Sequence, residues 1–594
     1  MSLAEKFTTF KATARKIWAL SLPYFQSEDK WKARAMLAGI VILNLASVYM
    51  LVQFNDWYRV FYDALESKNQ PVFWQQLARF TYIAFALIII AVYKFYLTQL
   101  LIVRWRTWMT GHYLDRWLSH QAFYKLELAR YGGQAASPGS PGGQASPDNP
   151  DQRIQEDLDL FTSRTISLSM GLLNAMVTLV SFVGILWTLS GDFGFTLGGT
   201  YYVIAGFMVW AAVAYCIVGS VLTHYIGRPQ IALNFRQQRL EADFRHHMVR
   251  VREYSESIAL DHGETVERRQ LGLRFGDVLS NYINLIRAQK RLIWFTSFFG
   301  QAAVVFPFVV SAPRFFSGAI KLGDLMQISS AFGQVQDSLS WLVDNYSSLA
   351  SWRATTERLT TFEENMSVLA AGDVSPVLLQ GNAVSTQDLT LALPGGAVLA
   401  DHLNLQVAAG DSVLFSGPSG SGKSTLFRAL AGIWPFASGQ VTRPADAMFL
   451  PQRAYFPNGP LRDALAYPEP ASKYSDDALR QALRDALLPH LAGHLDLQDA
   501  WGQKLSGGEQ QRLAIARVLL KKPAWIFADE ATSALDEPAE KALYGKLLAQ
   551  VRQAGGAIVS IAHRPAVAAY HDRRWEFEKA PEGATTLYRL KAQA

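Results

Sequence analysis

The stretch Asp411–Leu430, DSVLFSGPSGSGKSTLFRAL, decides the fold of the C-terminal part of this chain. An apolar strand, a glycine-rich turn and a helical run follow one another, and the turn matches G-x-x-x-x-G-K-[ST] between Gly417 and Ser424. In such a turn, backbone N–H groups and the positive end of the helix dipole hold phosphate groups. We therefore predict a nucleotide site, although this stretch alone fits a kinase or a GTPase equally well.

The predicted phosphate cradle lies within this one turn. Lys423 is expected to reach the β- and γ-phosphates of ATP, and Ser424 is expected to bind Mg²⁺. The residues predicted to bind ATP here are Gly417, Ser419, Gly420, Gly422, Lys423, Ser424 and Thr425. Short β-rich runs and helices fill the region from Val377 onward, which predicts a soluble α/β domain.

Two further apolar strands each end in candidate catalytic residues. WIFADE, Trp525–Glu530, ends in two carboxylates. Asp529 is predicted to hold the Mg²⁺ shell, and Glu530 is predicted to orient and deprotonate an attacking water. The alternative is an acidic pair that only caps a helix. IVSIAH, Ile558–His563, places His563 where its imidazole could sense the γ-phosphate, although a lone histidine after a strand is usually incidental.

A second anion-binding helix start lies far from the cradle. LSGGEQQR, Leu505–Arg512, opens a helical run with Ser506, Gly507 and Gly508, as a phosphate-binding helix N-terminus requires. If two copies of the chain face each other head to tail, each such pocket closes over the γ-phosphate held by the other. The sequence therefore predicts a dimer of identical subunits that ATP bridges.

The composition predicts a mixture of membrane and soluble parts. Of the 594 residues, 50% are hydrophobic and 18% charged, and the mean hydropathy of +0.07 is intermediate between the two classes. The net charge is +6, and the basic residues flank apolar runs, which favours a lipid bilayer as partner and argues against nucleic acid. Cys216 is the only cysteine, so an intrachain disulfide is impossible.

Six runs in the first half are candidates for crossing about 30 Å of hydrocarbon. They lie near Ala35–Phe54, Phe80–Leu101, Ser169–Leu189, Thr200–Leu222, Leu292–Ala312 and Leu322–Ser348. Basic residues before the first run and after the fourth place both termini and the nucleotide domain in the cytoplasm, by the positive-inside rule. A helical rhythm continues through Arg104–Arg130 and Arg228–Arg291, which predicts helices prolonged into the cytoplasm.

The sixth run is more polar than the others and suggests a path for cargo. Carboxylates inside a span normally face a bundle interior or a wet cavity. We predict a hydrophilic cargo cavity lined by Gln334, Asp337, Trp341 and Asp344. Two alternatives remain: the carboxylates make interhelix contacts near the membrane surface, or the helix lies wholly in the cytoplasm.

These motifs, in this order, resemble those of the ABC transporter family. GPSGSGKST resembles its Walker A motif, WIFADE its Walker B motif, and LSGGEQQR its signature, which implies that Glu509 also belongs to the ATP site. The resemblance implies a Q-loop role for Gln452 in LPQR, at Mg²⁺ and in catalysis, and a D-loop role at the ATP site for Asp536 in SALD. It also implies that His563 is the switch histidine. Leu393 stands where the family usually stacks an aromatic ring on adenine, so base affinity is expected to be weaker.

Nearly the whole chain is similar to the SbmA/BacA-type branch, which is related to the peroxisomal acyl-CoA transporters. The similar segments are Asp148–Asp157, Ile226–Pro229, Arg239–Leu260, Asp337–Tyr346 and Gly459–Pro468. The resemblance implies a homodimeric half-transporter in the bacterial inner membrane. Its implied fold is an all-α polytopic membrane domain with an exporter-type six-helix fold plus a C-terminal α/β P-loop ATPase domain.

Three functions follow from these observations. The first is ATP-driven transport, by import, of bulky hydrophilic or amphipathic cargo similar to cobalamin or antimicrobial peptides. The second is export or flipping of lipid, fatty acid or acyl-CoA, which the polar sixth run disfavours. The third is a membrane-tethered ABC ATPase that transports nothing, against which the number of spans argues.

The predicted domain boundaries follow the change in composition. Residues 1–34 form a cytoplasmic amphipathic segment, 35–360 the membrane domain, 361–376 a linker and 377–594 the nucleotide domain. A Gly/Pro/Ser-rich insertion near 131–148 is predicted to be disordered. Asn149–Asp157 and Glu253–Leu260 are the candidate segments that couple the membrane helices to Gln452.

Overall fold

The computed structural model describes the backbone of residues 3–132, 149–190, 192–197, 200–371 and 376–593. The chain divides into two compact units. One, called the membrane unit below, comprises Met1–Tyr113 and Asp151–Thr361, and the other, the α/β unit, comprises Leu114–Pro150 and Phe362–Ala594. Residues 133–148 of the predicted disordered insertion lie outside the described residues.

Long helices make up most of the chain up to Ala371. They are α1 Leu3–Gln26, α2 Lys30–Glu66, α3 Gln70–Leu118, α4 Ala122–Gly132, α5 Pro150–Gln152, α6 Leu158–Ser190, α7 Phe207–Glu253, α8 Ser255–Leu260, α9 Glu264–Phe316, α10 Leu322–Asp344 and α11 Tyr346–Ala371. A π-helical turn, Arg153–Asp157, precedes α6. The helix α11 therefore continues through most of the segment predicted as a linker at 361–376.

Five of these helical segments are long and apolar enough to span a membrane. They are Lys30–Glu66, Gln70–Leu128, Pro150–Ser190, Phe207–Glu253 and Glu264–Phe316. They contain the first five of the six runs predicted from sequence, wholly or in large part. The sixth predicted run, Leu322–Ser348, is not among them. At about 1.5 Å per residue, the 53 residues of α9 extend about 80 Å, far more than a bilayer needs.

The polar helix α10 is a packed member of the membrane unit. Ile328, Ala331, Phe332 and Val335 recur at helical spacing and are fully buried. They join a core cluster with residues of α6 and α7. Two carboxylates at the end of α2 also cap the start of α10, where the N–H groups of Leu322 and Gly323 would otherwise lack acceptors.

The fourth predicted span begins later than the sequence suggested. Strand β1, Asp192–Leu197, pairs antiparallel with β2, Thr200–Ala205, and α7 begins only at Phe207. The prediction of a helix from Thr200 was therefore wrong over its first residues. Tyr, Val and Ile follow one another in β2, and aromatic and β-branched residues favour a strand when a partner strand is available.

The α/β unit contains two large sheets, the two-stranded pair β10–β11 and several helices. Its strands are β3 Val377–Gln380, β4 Val384–Ala392, β5 Val398–Leu403, β6 Gln406–Val407, β7 Ser412–Ser416, β8 Ala437–Arg443, β9 Ala447–Leu450, β10 Gly459–Pro460, β11 Gln498–Asp499, β12 Trp525–Asp529, β13 Ala557–Ile561, β14 Arg573–Lys579 and β15 Tyr588–Gln593. Its remaining helices are α12 Lys423–Leu430, α13 Leu461–Ala466, α14 Asp476–Asp485, α15 Trp501–Lys504, α16 Gly507–Lys521, α17 Glu537–Gln553 and α18 Pro565–Ala568.

The larger sheet brings the predicted catalytic strands side by side. Its order is β15-β14-β7-β13-β12-β9, in which only β15 runs antiparallel to its neighbour. β7 and β13 are buried at every position, as expected for strands covered on both faces. Because β7, β12 and β13 are parallel neighbours, the residues that follow them meet at one edge of the sheet. The second sheet has the order β3-β8-β4-β5, with β6 paired to β4.

Candidate functional site

The predicted phosphate cradle is a turn that only glycine permits at two positions. Gly417 has φ +135°, and an added Cβ would lie 2.7 Å from the Phe577 carbonyl oxygen. Gly422 has φ +97° and directly precedes α12. Side chains at these positions would be strained or would collide with the neighbouring strand. The turn therefore leaves its backbone N–H groups at the start of α12, as phosphate binding requires.

Lys423 closes over the turn in the described structure. Its side chain is 6% exposed, and its ammonium donates to the carbonyl oxygens of Gly417 at 2.9 Å and Pro418 at 2.7 Å. Burial lowers the pKa of Lys423, and the carboxylates of Glu530 and Asp529 oppose that shift. Around it, Thr425 is buried, Ser424 is half-buried, and Ser419 and Gly420 are exposed.

The two predicted catalytic carboxylates lie at the end of β12, beside the cradle. Burial raises the pKa of Asp529. A hydrogen bond that the Asp529 carboxylate accepts from Ser424 opposes this shift. Glu530 has φ +48°, a left-handed conformation that is rare outside glycine and often marks functional positions. Its N–H donates to the carbonyl of Ile561, the last residue of β13, at 3.0 Å. The neighbouring strand therefore holds the strained backbone in place.

The structure gathers the three predicted catalytic residues around one carboxylate. The Gln452 side-chain amide donates to Glu530 Oε2 at 2.8 Å, and His563 Nε2 lies 3.2 Å from Glu530 Oε1. Gln452 and His563 are exposed, whereas Glu530 is half-buried. Gln452 lies 78 positions before Glu530 and His563 lies 33 positions after it, so only the sheet topology brings them together.

The predicted signature helix begins with a capping box. Ser506 caps α16, and the Glu509 carboxylate accepts from the Ser506 N–H at 3.0 Å and hydroxyl at 2.8 Å. These hydrogen bonds, and His490 at 3.2 Å from the other carboxylate oxygen, lower the pKa of Glu509. Within the part of the chain that the structure describes, no hydrogen bond joins Ser506–Glu509 to Gly417–Thr425.

Two residues that the sequence analysis did not single out hold the segment after Glu530. The Gln511 amide donates to the Glu530 carbonyl at 3.2 Å and to Ser533 Oγ at 2.9 Å, and it accepts from the Ala534 N–H at 2.8 Å. Arg564 donates to the carbonyls of Ser533 and Leu535, at 2.8 and 2.6 Å. Side chains of α16 and of the residue after His563 therefore both hold the predicted D-loop, Ser533–Asp536, in place.

The structure shows fewer side-chain contacts for Asp536 and Leu393, the two remaining residues with a predicted role at the ATP site. Asp536 is exposed and is the N-cap residue of α17, but its side chain makes no capping hydrogen bond. Leu393 follows β4, and its N–H donates to the Ala397 carbonyl at 2.8 Å across a tight turn. The Leu393 side chain is 36% exposed and offers an apolar surface without a π face.

The four residues of the predicted cargo cavity lie along α10. Asp337 and Asp344 are exposed, while Gln334 and Trp341 are half-buried. Trp341 packs closely against Gly171 of α6, where an added Cβ would lie 2.9 Å from the indole nitrogen. The carboxylates therefore share a helix with a tightly packed ring.

The two predicted coupling segments differ in local structure. Within Asn149–Asp157, Asp157 is 2% exposed and pairs with Arg153 and with Arg358 of α11. A buried carboxylate needs such partners because desolvation of an unpaired charge is costly. In Glu253–Leu260, the short helix α8 has no buried residue and lies between the ends of α7 and α9.

A glycine-rich cradle beside paired carboxylates, a separate signature helix and a bundle of membrane-length helices define an ABC-type ATPase joined to a membrane domain. Two family models match the chain accordingly: ABC transporter transmembrane region 2 over residues 20–316, and ABC transporter over residues 400–533. The chain belongs to the ABC transporter family.

Relatives that align with nearly the whole chain are also ABC transporters. Inner membrane ABC transporter ATP-binding protein YddA of Escherichia coli strain K12 is 32% identical over 561 residues, 94% of this chain and 96% of the relative. ABC transporter D family member 2, chloroplastic, of Arabidopsis thaliana is 32% identical and covers 96% of this chain and 86% of its own length. The predicted family, including its relation to D-family transporters, is confirmed.

A solved structure supports the predicted fold. The structure of a bacterial Atm1-family ABC exporter with ATP bound superposes with a TM-score of 0.68 and 19% identity, over 92% of this chain and 93% of that one. The exporter-type membrane fold followed by an α/β ATPase domain is thus confirmed. The family models and the relatives establish a multi-pass membrane protein whose ATP hydrolysis is coupled to transport, and the prediction of a non-transporting tethered ATPase is set aside.

Proposed function

We propose that the chain is one half of a homodimeric ATP-driven transporter that moves bulky polar or amphipathic cargo across the bacterial inner membrane. The observation that carries the proposal is the separation of the ATP site into two parts. Lys423, Glu530 and their partners form one cluster, and the Ser506–Glu509 helix start is bonded to none of the cradle residues in the described structure. A second subunit is the simplest source of the missing helix start.

In the proposed mechanism, each residue near Glu530 has a distinct task. Glu530 is the general base, because its carboxylate is half-buried and held between Gln452 and His563. Lys423 leaves the carbonyls of Gly417 and Pro418 and donates to the β- and γ-phosphates. Ser506, Gly507 and Gly508 donate to the γ-phosphate bound by the partner.

The residues present fit a Mg²⁺ ion. Ser424, Asp529 and Gln452 offer hydroxyl, carboxylate and amide oxygens, and Mg²⁺ prefers oxygen ligands while retaining waters and binding phosphate. The hydrogen bond between Ser424 and Asp529 already places two of these groups together. The ion would neutralise charge on the phosphates during hydrolysis.

The surface of the helix pair α7 and α9 supports a dimer. Residues 264–291 of α9 precede its apolar run, and at about 1.5 Å per residue they extend about 40 Å beyond the lipid. Several large apolar side chains on these extensions are exposed, among them Phe235 at 70% and Leu273 at 66%. Lipid does not cover them there, so a second copy of the chain is the expected cover.

The carboxylates of α10 support a polar or amphipathic cargo. Asp337 and Asp344 are exposed, and a carboxylate facing lipid is unfavourable, so a wet pathway is the expected surrounding. We propose that Gln334, Asp337, Trp341 and Asp344 line this pathway, that the direction is import, and that both termini and the ATPase domain face the cytoplasm. The direction rests on the resemblance to the SbmA/BacA-type branch.

A second candidate is export or flipping of lipid, fatty acid or acyl-CoA. It is favoured by the D-family relatives and the related resemblance to the peroxisomal acyl-CoA transporters. The two candidates differ in what the α10 carboxylates contact, since an acyl chain gains nothing from them. Cargo polarity therefore separates the two.

Vesicles of defined orientation test the proposal. The full chain is reconstituted, and ATP-dependent movement of cobalamin, a basic peptide and a fatty acyl-CoA is measured in each direction, with Glu530→Gln as the inactive control. Uptake of cobalamin or peptide supports the proposal. ATP-dependent movement of acyl-CoA alone would establish the second candidate instead.

A further inference from the structure

The membrane unit contains a large apolar cavity that the ATP cycle does not explain. Its volume is about 1270 Å³, and its walls come from α1, α2, α3, α6 and α11. The apolar lining includes Ile17, Leu22, Leu37, Met170 and Leu349. Small-molecule sites usually measure about 300–1,000 Å³, so this cavity is large enough for a substantial ligand.

The cavity lies at the level where the helices leave the bilayer. Arg34 of α2 lines it and directly precedes the first apolar run, and Trp105 of α3 follows Arg104 at the end of the second run. Ser169 and Met170 of α6 open the third run. All these positions belong to the basic side of the membrane, where α1 also carries Arg15 and Lys16. A ligand can therefore enter from the headgroup region.

Two buried hydrogen-bond donors, Ser21 and Trp105, line the cavity where α1 meets α3, and a third, Tyr24, lies next to Trp105 without lining the cavity. Tyr24 of α1 is fully buried and stacks on Trp105, with 5.8 Å between ring centroids. Ser21 and Trp105 both line the cavity and are 9% and 0% exposed. Ser21 Oγ, Tyr24 Oη and Trp105 Nε1 have no hydrogen-bond partner among the described residues. Because buried polar groups are normally paired, Ser21 and Trp105 indicate a ligand that brings acceptor oxygens to the cavity.

The charged groups at the cavity have a net positive charge. Arg34 uses Nε to donate to the Phe25 carbonyl at 3.1 Å, which leaves its terminal nitrogens available to a ligand. Arg353 pairs with Glu357 at 3.1 Å, and both residues line the cavity. Two guanidinium groups and one carboxylate therefore favour an anion, and basic pockets between membrane helices on the cytoplasmic side suit anionic lipid headgroups.

We propose that this cavity binds an anionic phospholipid from the adjacent leaflet. An acyl chain fills the apolar part, and the phosphate oxygens accept from Ser21, Trp105 and Arg34. A helix of a second subunit is a poorer occupant, because its backbone carbonyls are already used within the helix. The bound lipid holds α1 against the bundle, and the site is separate from the proposed cargo residues on α10.

Photolabelling of the full chain in lipid nanodiscs tests this site. Nanodiscs contain trace photoreactive phosphatidylglycerol or, in the matched sample, photoreactive phosphatidylcholine with the same acyl chains. Both lipids carry a phosphate, but only phosphatidylglycerol has a net negative charge, which the guanidinium groups at the cavity attract. We therefore expect phosphatidylglycerol to label peptides of α1 and α11 about tenfold more than phosphatidylcholine. Equal labelling by the two lipids, or labelling confined to other helices, would overturn the proposal.

Two substitutions on α1 provide a matched pair. Ala14 lines the cavity and Ala19 does not, and both are exposed on the same helix. Ala14→Trp fills the cavity and should abolish most phosphatidylglycerol labelling, whereas Ala19→Trp should retain it. If both variants label like the parent chain, the lipid binds elsewhere.

The charge contribution is tested without filling the cavity. Arg34→Gln keeps the size of the side chain nearly constant and should bring phosphatidylglycerol labelling down to the phosphatidylcholine level. Crosslinks between two copies at α1, in place of lipid labelling, would show that a second subunit covers the cavity and would overturn the proposal.

Discussion

The ATP site and the membrane unit differ in how their polar groups are paired. In the ATP site, Lys423 donates to two carbonyl groups of its own turn, and Glu530 is held by Gln452 and His563. In the membrane unit, Asp337 and Asp344 are exposed on α10, and three donors around Tyr24 lack partners in the described chain. The first region is organised by its own chain, whereas the second contains polar groups suited to molecules outside it.

This difference predicts which property of the protein a substitution in each region should change. Replacement of a group in the ATP site changes a network that is already formed, so chemistry should suffer directly. Replacement of a group in the membrane unit should change what the protein binds or moves, with less effect on nucleotide chemistry. Five variants test that division.

The largest effect is expected for Glu530→Gln. The amide keeps the shape of the side chain but cannot accept a proton, so ATP hydrolysis should fall about 10²–10⁴-fold while ATP still binds and holds the proposed dimer closed. Steady-state ATPase assays measure hydrolysis, and size-exclusion chromatography in the presence of ATP measures the oligomeric state. Glu537→Gln, at an exposed acid on α17, is the control. Full turnover by Glu530→Gln would show that another group is the base.

Lys423→Ala should weaken ATP binding by about 10–100-fold, because charged hydrogen bonds to the phosphates are lost. The lysine also gives a pH signature. Its pKa is lowered in the described structure, chiefly by burial, and bound phosphates should raise it again. ATP binding at alkaline pH should therefore take up protons, which calorimetry in buffers of different ionisation enthalpy detects. Proton release on binding would contradict the assigned contact.

Gln511→Ala should lower kcat about tenfold with little change in KM for ATP, because its amide positions the Glu530 backbone and the D-loop rather than the nucleotide. ATPase kinetics separate the two parameters. Gln550→Ala is a suitable control, since that amide also bonds a backbone carbonyl, that of Pro523 at 3.2 Å, but lies outside the site. A change in KM alone would place Gln511 in nucleotide binding.

The double substitution Asp337→Asn with Asp344→Asn should lower the amount of cargo moved per ATP hydrolysed by about threefold or more, because two charged contacts to cargo are lost. Transport and hydrolysis measured in the same vesicles give this ratio. Asp324→Asn, at the start of the same helix, is the control. An unchanged ratio in the double variant would remove α10 from the proposed cargo pathway.

The smallest effect is expected for Glu509→Gln, measured as stability. Because the folded-state pKa of Glu509 is lowered from 4.5, its carboxylate stabilises the fold above pH 4.5 and loses that contribution as pH falls through the lowered value. The substitution should cost about 0.5 kcal/mol at pH 7 and nothing at strongly acidic pH. Denaturant unfolding at several pH values measures this. A constant difference across pH would exclude the carboxylate's charge as the cause.

The sequence predicted the ATP site well because its chemistry is encoded in contiguous motifs that follow buried strands. Gly417–Thr425 and Trp525–Glu530 each carry their own structural context. It did not reveal Gln511 or Arg564, because those side chains bond backbone groups 19 to 31 residues away and leave no spacing pattern. The β1–β2 hairpin was also missed, since an apolar run beside a span reads as helix when its pairing partner is not recognised.

The membrane unit was predictable in most of its apolar spans but not in its ligand sites. Hydropathy predicted six segments that can cross a bilayer, and the described residues contain five helices that are long and apolar enough to do so. The cavity beside Tyr24 brings together residues from five helices, a juxtaposition that no single stretch of sequence encodes.

The length of α9 has a mechanical consequence. A rigid rod of about 80 Å that tilts by about 5° at one end moves its other end by about 7 Å. Helix α8, which joins the far ends of α7 and α9, therefore lies where angular change within the bilayer is most amplified. Stiffness along α7 and α9, more than affinity at any one contact, would then set how much of each nucleotide-driven stroke reaches the cargo.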